Sequence, residues 1–139
     1  MKAKNLIKVL IVFALLTATF ESCKKDDDNS VSVADRDKFL GTWATQSNGT
    51  SGPLNFSMTI TAGSSDAGQI IISNFDLEGT NTHTIGEISG TSISISQQLV
   101  GSANDTIQGT GTYNSNNTLS FNYTVKNGTV DVRSATAHK

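Results

Sequence analysis

Apolar and polar residues alternate along most of this chain, in short runs separated by glycine- and asparagine-rich breaks. Leu54, Phe56, Met58 and Ile60 alternate with Asn55, Ser57, Thr59 and Thr61. Leu119, Phe121, Tyr123 and Val125 alternate with Ser120, Asn122 and Thr124, and Ile93 and Ile95 alternate with Ser92, Ser94 and Ser96. Successive strand residues point to opposite faces, so a period of two describes strands with one buried face. The breaks are turn-forming clusters: "AGSSDAG" at 62–68, "EGTN" at 78–81, "SGT" at 89–91, "GSAND" at 101–105, "NSNN" at 114–117 and "KNGT" at 126–129. Between them the spacing predicts eight strands, at about 41–47, 54–62, 69–75, 82–88, 92–99, 105–113, 118–126 and 129–137. Short connections throughout imply an antiparallel meander. Such a meander manages its edges by closing into a barrel or by packing as a β-sandwich.

The pattern is less decisive in two strands. "QIIISNF" is apolar on both faces, and in 82–88 the two isoleucines, Ile85 and Ile88, have opposite parity. Ahead of the strands, Ser32 to Leu40 has a helical signature: Ser32 can cap, Asp35 lies three residues on, and Phe39 and Leu40 face inward.

Composition narrows the possible functions. The formal net charge of -2 is small and of the wrong sign for nucleic acid, so no nucleic-acid partner is expected. A single cysteine excludes an intrachain disulfide and a cysteine-built zinc site. Apolar packing and backbone hydrogen bonds must therefore hold the domain together.

The N-terminus follows different rules. Lys2, Lys4 and Lys8 precede "VLIVFALLTA" at 9–18. A basic start and an apolar run of roughly 7–15 residues form the pattern of a secretory signal peptide. The run is short of the ~20 residues a spanning helix needs; the other reading is an uncleaved amphipathic helix. The only cysteine, Cys23, follows directly. "LLTATFESC" at 15–23 resembles the lipobox of bacterial lipoproteins, with small Ser22 before the cut, although Phe20 and Glu21 depart from the usual residues. The resemblance implies that residues 1–22 are removed and that Cys23 carries lipid through a thioether, its thiolate being the nucleophile. Lys24, Lys25, Asp26, Asp27 and Asp28 resemble the export signal of surface-exposed lipoproteins of Bacteroidota. By charge alone they form a solvated tether, spanning 23–30 with its lipidated end, and they lack the spacing of a calcium loop. The implied location is the cell outer membrane, held by the lipid anchor and exposed at the surface.

Residues 31–139 then form one domain. "FLGTW" at 39–43 resembles the opening of lipocalin-like barrels, in which a helical turn leads into G-x-W on the first strand. The resemblance implies an all-β, eight-stranded lipocalin-like barrel, with Trp43 plugging one end and Arg133 of the last strand packing across it. The alternative is that Arg133, with Asp131 on the same face, points to solvent.

No catalytic constellation is evident, so the chain is expected not to be an enzyme and to need no cofactor or metal. Its two histidines, His83 and His138, form no ligand or triad motif. The acids Asp76, Glu78 and Glu87 could approach one another as a glycosidase pair must; acids in turns are more often solvated. Gly109 and Gly111 share parity with Ile107 and Tyr113, so two inward side chains are missing in a row. Mid-strand glycines mark a bend or a close approach. They could also leave a small cavity bounded by Tyr113, Phe121 and Tyr123 for an apolar ligand. Asp105-Thr106-Ile107 resembles the Bacteroidota O-glycosylation acceptor, with Thr106 the modified residue. The expected function is a small-ligand binding module. The alternative is an accessory protein that meets an envelope protein partner.

Overall fold

The computed structural model describes residues 32–101 and 105–139. Its strands are β1 (Gly41–Gly49), β2 (Gly52–Ala62), β3 (Gln69–Ser73), β4 (His83–Ser89), β5 (Ser92–Val100), β6 (Asp105–Asn114), β7 (Thr118–Asn127) and β8 (Thr129–His138). Each pairs antiparallel with the next, and β8 returns to β1 from Ala44↔His138 to Gly49↔Arg133. The meander is a closed barrel and not a sandwich, so among the described residues each strand has a neighbour on both sides.

Alternation places the core as expected. Phe56, Met58, Ile60, Ile93, Ile95, Ile107, Leu119, Phe121 and Tyr123 are all buried in one cluster. Closure also resolves the two undecided strands. In β3, Ile70 and Ile72 point inward and Ile71 is half-buried on the wall. In β4, Thr84, Gly86 and Ile88 face the core, leaving Ile85 exposed.

A register shift between Ile95 and Gln98 interrupts the β5–β6 ladder. Beyond it the Gln98 carboxamide stands in for a strand: its Oε1 accepts from Ile85 N and its Nε2 donates to Ile85 O, both at 2.8 Å. The bulge reverses the facing of the strand beyond it, so Leu99 is exposed and Val100 buried.

The barrel has one cap at each end. Phe39, just after helix α1 (Val33–Asp37), closes the end where β1 begins, and Ser32 and Asp35 form a reciprocal capping box at the helix start. A 3₁₀ turn, Phe75–Leu77, lies in the β3–β4 connection at the opposite end.

Candidate functional site: the Arg133 mouth

The α1 end is sealed by packing. Phe39 and Trp43 are fully buried, and Trp43 Nε1 donates to Phe39 O at 2.8 Å. Tyr113 meets both rings edge-on, at 5.6 Å from Phe39 and 6.4 Å from Trp43. The cation over Trp43 is Lys139, whose Nζ lies 4.6 Å from the ring centroid. Arg133 does not make this contact. It sits opposite Gly49 at the far end of β1, whereas His138, the neighbour of Lys139, sits opposite Ala44 near the start.

Nor does Arg133 point to solvent. It shares inward parity with Ala135 and Ala137 on β8 and is 4% exposed. Burying a guanidinium is costly unless its donors are matched, and here each of its three nitrogens has a partner. Nη1 donates to Gly52 O at 3.2 Å and to Ser47 Oγ at 3.4 Å, and Nη2 donates to Ser51 Oγ at 2.8 Å. Nε lies 3.0 Å from Asp131 Oδ2 and 3.4 Å from Asp76 Oδ1. Gly49 is the residue that admits this side chain, because a Cβ there would fall 2.6 Å from Arg133 Cγ.

Tyr123 joins the network from β7. Its hydroxyl donates to Asp76 Oδ1 at 2.6 Å and lies 2.8 Å from Ser47 Oγ. With the phenol proton committed to Asp76, Ser47 is the donor in the second bond. Burial, and then the Asp76 carboxylate, push the Tyr123 phenol far above its ordinary pKa. Burial also raises Asp76, although the Tyr123 hydroxyl and Arg133 oppose the shift. Asp131 is held well below the usual carboxylate range by bonds from Ser51 and Thr50.

The turn that delivers Asp76 is conformationally costly. Asn74, Asp76 and Leu77 have φ of 57°, 57° and 66°, a left-handed region that non-glycine residues seldom occupy. Its buried anchor is Phe75, with its ring 5.3 Å from Phe121 and 4.7 Å from Tyr123. Beside it, burial and the neighbouring Asp105 carboxyl push Glu78 up to about 7. Asp105 is itself buried, and its Oδ1 has no hydrogen-bond partner among the described residues.

Other expected site residues lie elsewhere. Gly109 and Gly111 leave no gap inside the barrel, whereas on the outer wall Gly109 and Tyr123 line an open depression with Ile95, Gln97, Gln108 and Val132. A Cβ at Gly111 would fall 2.6 Å from the Phe121 ring, and one at Gly109 would fall 2.5 Å from Tyr123 Cβ and from Asn122 O. Tyr113 belongs to the opposite cap, so Tyr113, Phe121 and Tyr123 do not line one chamber. Glu87 does not join Asp76 and Glu78: it is on the outer wall of β4, where it accepts from Gln69 Nε2 at 3.3 Å. Thr106 is half-buried on the wall of β6, across from Leu99 and Lys126. Cys23 and residues 24–28 lie outside the described residues. Among the described residues no group of three or more His, Cys, Asp or Glu could hold a metal ion.

The alternation pattern passes over three network members, Ser47, Ser51 and Asp105. Ser47 was legible in principle, because it shares parity with Trp43 and Thr45 and is therefore a polar residue on an inward position. Open depressions mark the outer wall, among them one lined by Gln46, Asn55, Ser57 and His138 and another by Gln97, Gln108, Gly109, Asn122, Tyr123 and Val132.

No protein-family model and no curated protein matches the chain. Solved structures of similar fold do. A redesigned β-barrel superposes with a TM-score of 0.60 at 16% identity, covering 79% of this chain and 97% of that one. A second redesigned β-barrel, mFAP1, bound to DFHBI, gives 0.59 at 16% identity, over 78% of this chain and 100% of that one. At such identity the likeness concerns the fold alone.

Proposed function

We propose that this chain is a lipid-anchored, non-enzymatic binding module of the outer cell surface, and that its barrel takes a small ligand at the Arg133 mouth. Removal of residues 1–22, lipidation of Cys23 and display directed by residues 24–28 are parts of the same proposal. One observation carries the placement of the site. This mouth holds a buried cation with three hydrogen bonds and two carboxylates, an aromatic slot and a conformationally costly plug, whereas the other end is closed by apolar packing. Costly backbone tends to persist at binding sites and switches. A barrel of similar fold, mFAP1, accommodates DFHBI, so the architecture is compatible with a small occupant.

The test is native mass spectrometry on the mature chain extracted from its host's membranes. Extra mass that survives native conditions and is lost on denaturation supports the reading, and a bare polypeptide opposes it. The anchor is tested separately by acyl labelling, which Cys23→Ala should abolish.

A second reading, an accessory protein of an envelope complex, draws on a different feature. Leu99, Thr106, Lys126 and Val130 form one row across β5 to β8, and Val132 lies two residues on. Leu99, Val130 and Val132 are 67%, 57% and 63% exposed. Exposed apolar residues grouped in this way suit a protein contact.

A further inference from the structure

The Arg133 mouth is occupied by a piece of the chain itself, and the chemistry of that piece is explicit. Phe75 supplies a fully buried aromatic ring against Phe121 and Tyr123, and the adjacent Asp76 supplies a carboxylate to the Tyr123 hydroxyl and Arg133 Nε. We propose that Phe75 and Asp76 are the internal occupant of a binding site, and that the external ligand that displaces them is an aromatic carboxylate. This inference rests on the reading that places ligand binding at the Arg133 mouth.

The occupant is held at conformational cost. Three of the four residues from Asn74 to Leu77 are non-glycine residues in left-handed conformations. Leu77, at the end of the turn, exposes half of its apolar side chain. Release would let Asp76 and Leu77 leave the left-handed region and return the Asp76 carboxylate to water, while the vacated ring slot is refilled by the ligand.

The loop has a neck that does not depend on its tip. Asn74 N donates to Gly79 O at 3.0 Å, and Gly79 N donates to Asn74 Oδ1 at 3.0 Å. Asn74 Nδ2 also donates to Ser57 O at 2.9 Å, tying the neck to β2. Gly79, at φ 106°, has the backbone freedom of a hinge. Residues 75–78 can therefore swing out while β3 and β4 stay paired.

The receiving half is likewise organised without its occupant. Gly52, Ser51 and Asp131 fix the guanidinium, and Ser47 fixes the Tyr123 hydroxyl. With Asp76 gone, Arg133 Nε and the Tyr123 proton would still point where a carboxylate had been. A ligand carboxylate would replace Asp76 charge for charge. A neutral amide could accept the Tyr123 proton through its carbonyl oxygen but would bring Arg133 no second negative charge beside Asp131, a weaker interaction than the charge-assisted one it replaces. The slot thus selects for a ring and an acid together.

An internal occupant lowers apparent affinity by the fraction of molecules in which it is in place. The experiment compares the full mature chain with its Phe75→Ala variant. The probes are phenylacetate, 3-phenylpropionate and 4-phenylbutyrate, each beside its primary amide, and binding is read by calorimetry and by the Tyr123 ring resonances. The expected result is that one acid of the series binds Phe75→Ala at least tenfold more tightly than wild type. Its amide should bind at least tenfold more weakly than the acid. A folded variant that ignores all three acids, or binds acid and amide alike, would overturn the proposal. If Phe75→Ala does not fold, Phe75→Leu, which keeps apolar bulk but not the ring, takes its place under the same criteria. The two readings fail differently. A native occupant that is not an acid would overturn this inference and leave the binding module standing. An empty native chain whose Phe75→Ala variant selects the acid would support the site chemistry and count against the module.

Discussion

Tyr123 and Asp76, 47 residues apart in the chain, are joined by a hydroxyl–carboxylate hydrogen bond of 2.6 Å. Through it the wall of the barrel holds the turn that closes its mouth. The same hydroxyl accepts a hydrogen bond from Ser47, so the phenol links β1, β7 and the β3–β4 connection.

Tyr123→Phe would keep the ring against Phe75 and remove this link alone. Asp76 would then retain only Arg133, and Ser47 would lose its acceptor. Leaving buried polar groups unmatched costs about 1–3 kcal/mol, and urea unfolding should show a loss of that order. A variant as stable as wild type would mean that the hydroxyl does not hold the turn.

Arg133→Met should cost more. It leaves two carboxylates without their cation, and breaking a buried pair from one side typically costs about 3–5 kcal/mol. Adding Asp76→Asn should recover part of the loss, because one stranded charge is then removed. Strict additivity of the two substitutions in denaturant melts would show that the residues are not coupled.

Glu78 gives the fold a dependence on pH. Its carboxyl is raised to about 7 in the folded chain, first by burial and then by Asp105 and Asp76. A raised folded pKa means that the folded state binds the proton more tightly than the unfolded chain. The contribution is therefore fully present below the ordinary glutamate range and is lost as pH rises through about 7. Asp76 acts in the same sense, whereas Asp131, lowered by Ser51 and Thr50, acts in the opposite sense at acid pH. Melting temperatures between pH 5 and pH 8 should fall for wild type and flatten for Glu78→Gln. An unchanged slope in Glu78→Gln would assign the dependence to other groups.

The two inward glycines of β6 should not be equivalent. At Gly111 an added methyl meets the Phe121 ring, a side chain that can tilt; at Gly109 it meets the Asn122 carbonyl and the Tyr123 backbone. Overpacking costs typically 1–3 kcal/mol. Gly109→Ala should therefore be the more destabilising of the two in thermal melts, and the reverse order would mean that the β6–β7 spacing is not the constraint.

Much of this architecture is legible in the chain. Period-two alternation at Leu54–Thr61 and Leu119–Val125 places the inner face, and the glycine and asparagine clusters place the turns. Other features depend on barrel closure, which local pattern does not encode. Whether Arg133 reaches Trp43 depends on which residue of β8 pairs with which of β1, and the register puts Lys139 there instead. Asp76 reads as a solvated turn acid until the turn is seen folded into the mouth. The bulge after Ile95 hides the facing of Leu99 and Val100 in the same way.

At the other cap, Trp43→Ala should cost roughly 3–5 kcal/mol, the range for emptying a large buried ring. Lys139→Ala should cost no more than about 1 kcal/mol, since a cation over a ring at an exposed position contributes about 0.5–1. Equal losses in chemical denaturation would mean that the cation, and not the packing, closes this end.

The central claim is that the Arg133 mouth is where the chain meets its ligand. Amide hydrogen exchange tests it most directly, comparing protein extracted from its host with the same protein after denaturation, dialysis and refolding. Slower exchange in the extracted protein at Ser47–Gly52 and at the β7–β8 segment around Tyr123 and Arg133, with faster exchange at the displaced residues 75–78, is the expected result. Identical exchange throughout, or protection confined to the Leu99–Val130 wall, would contradict it.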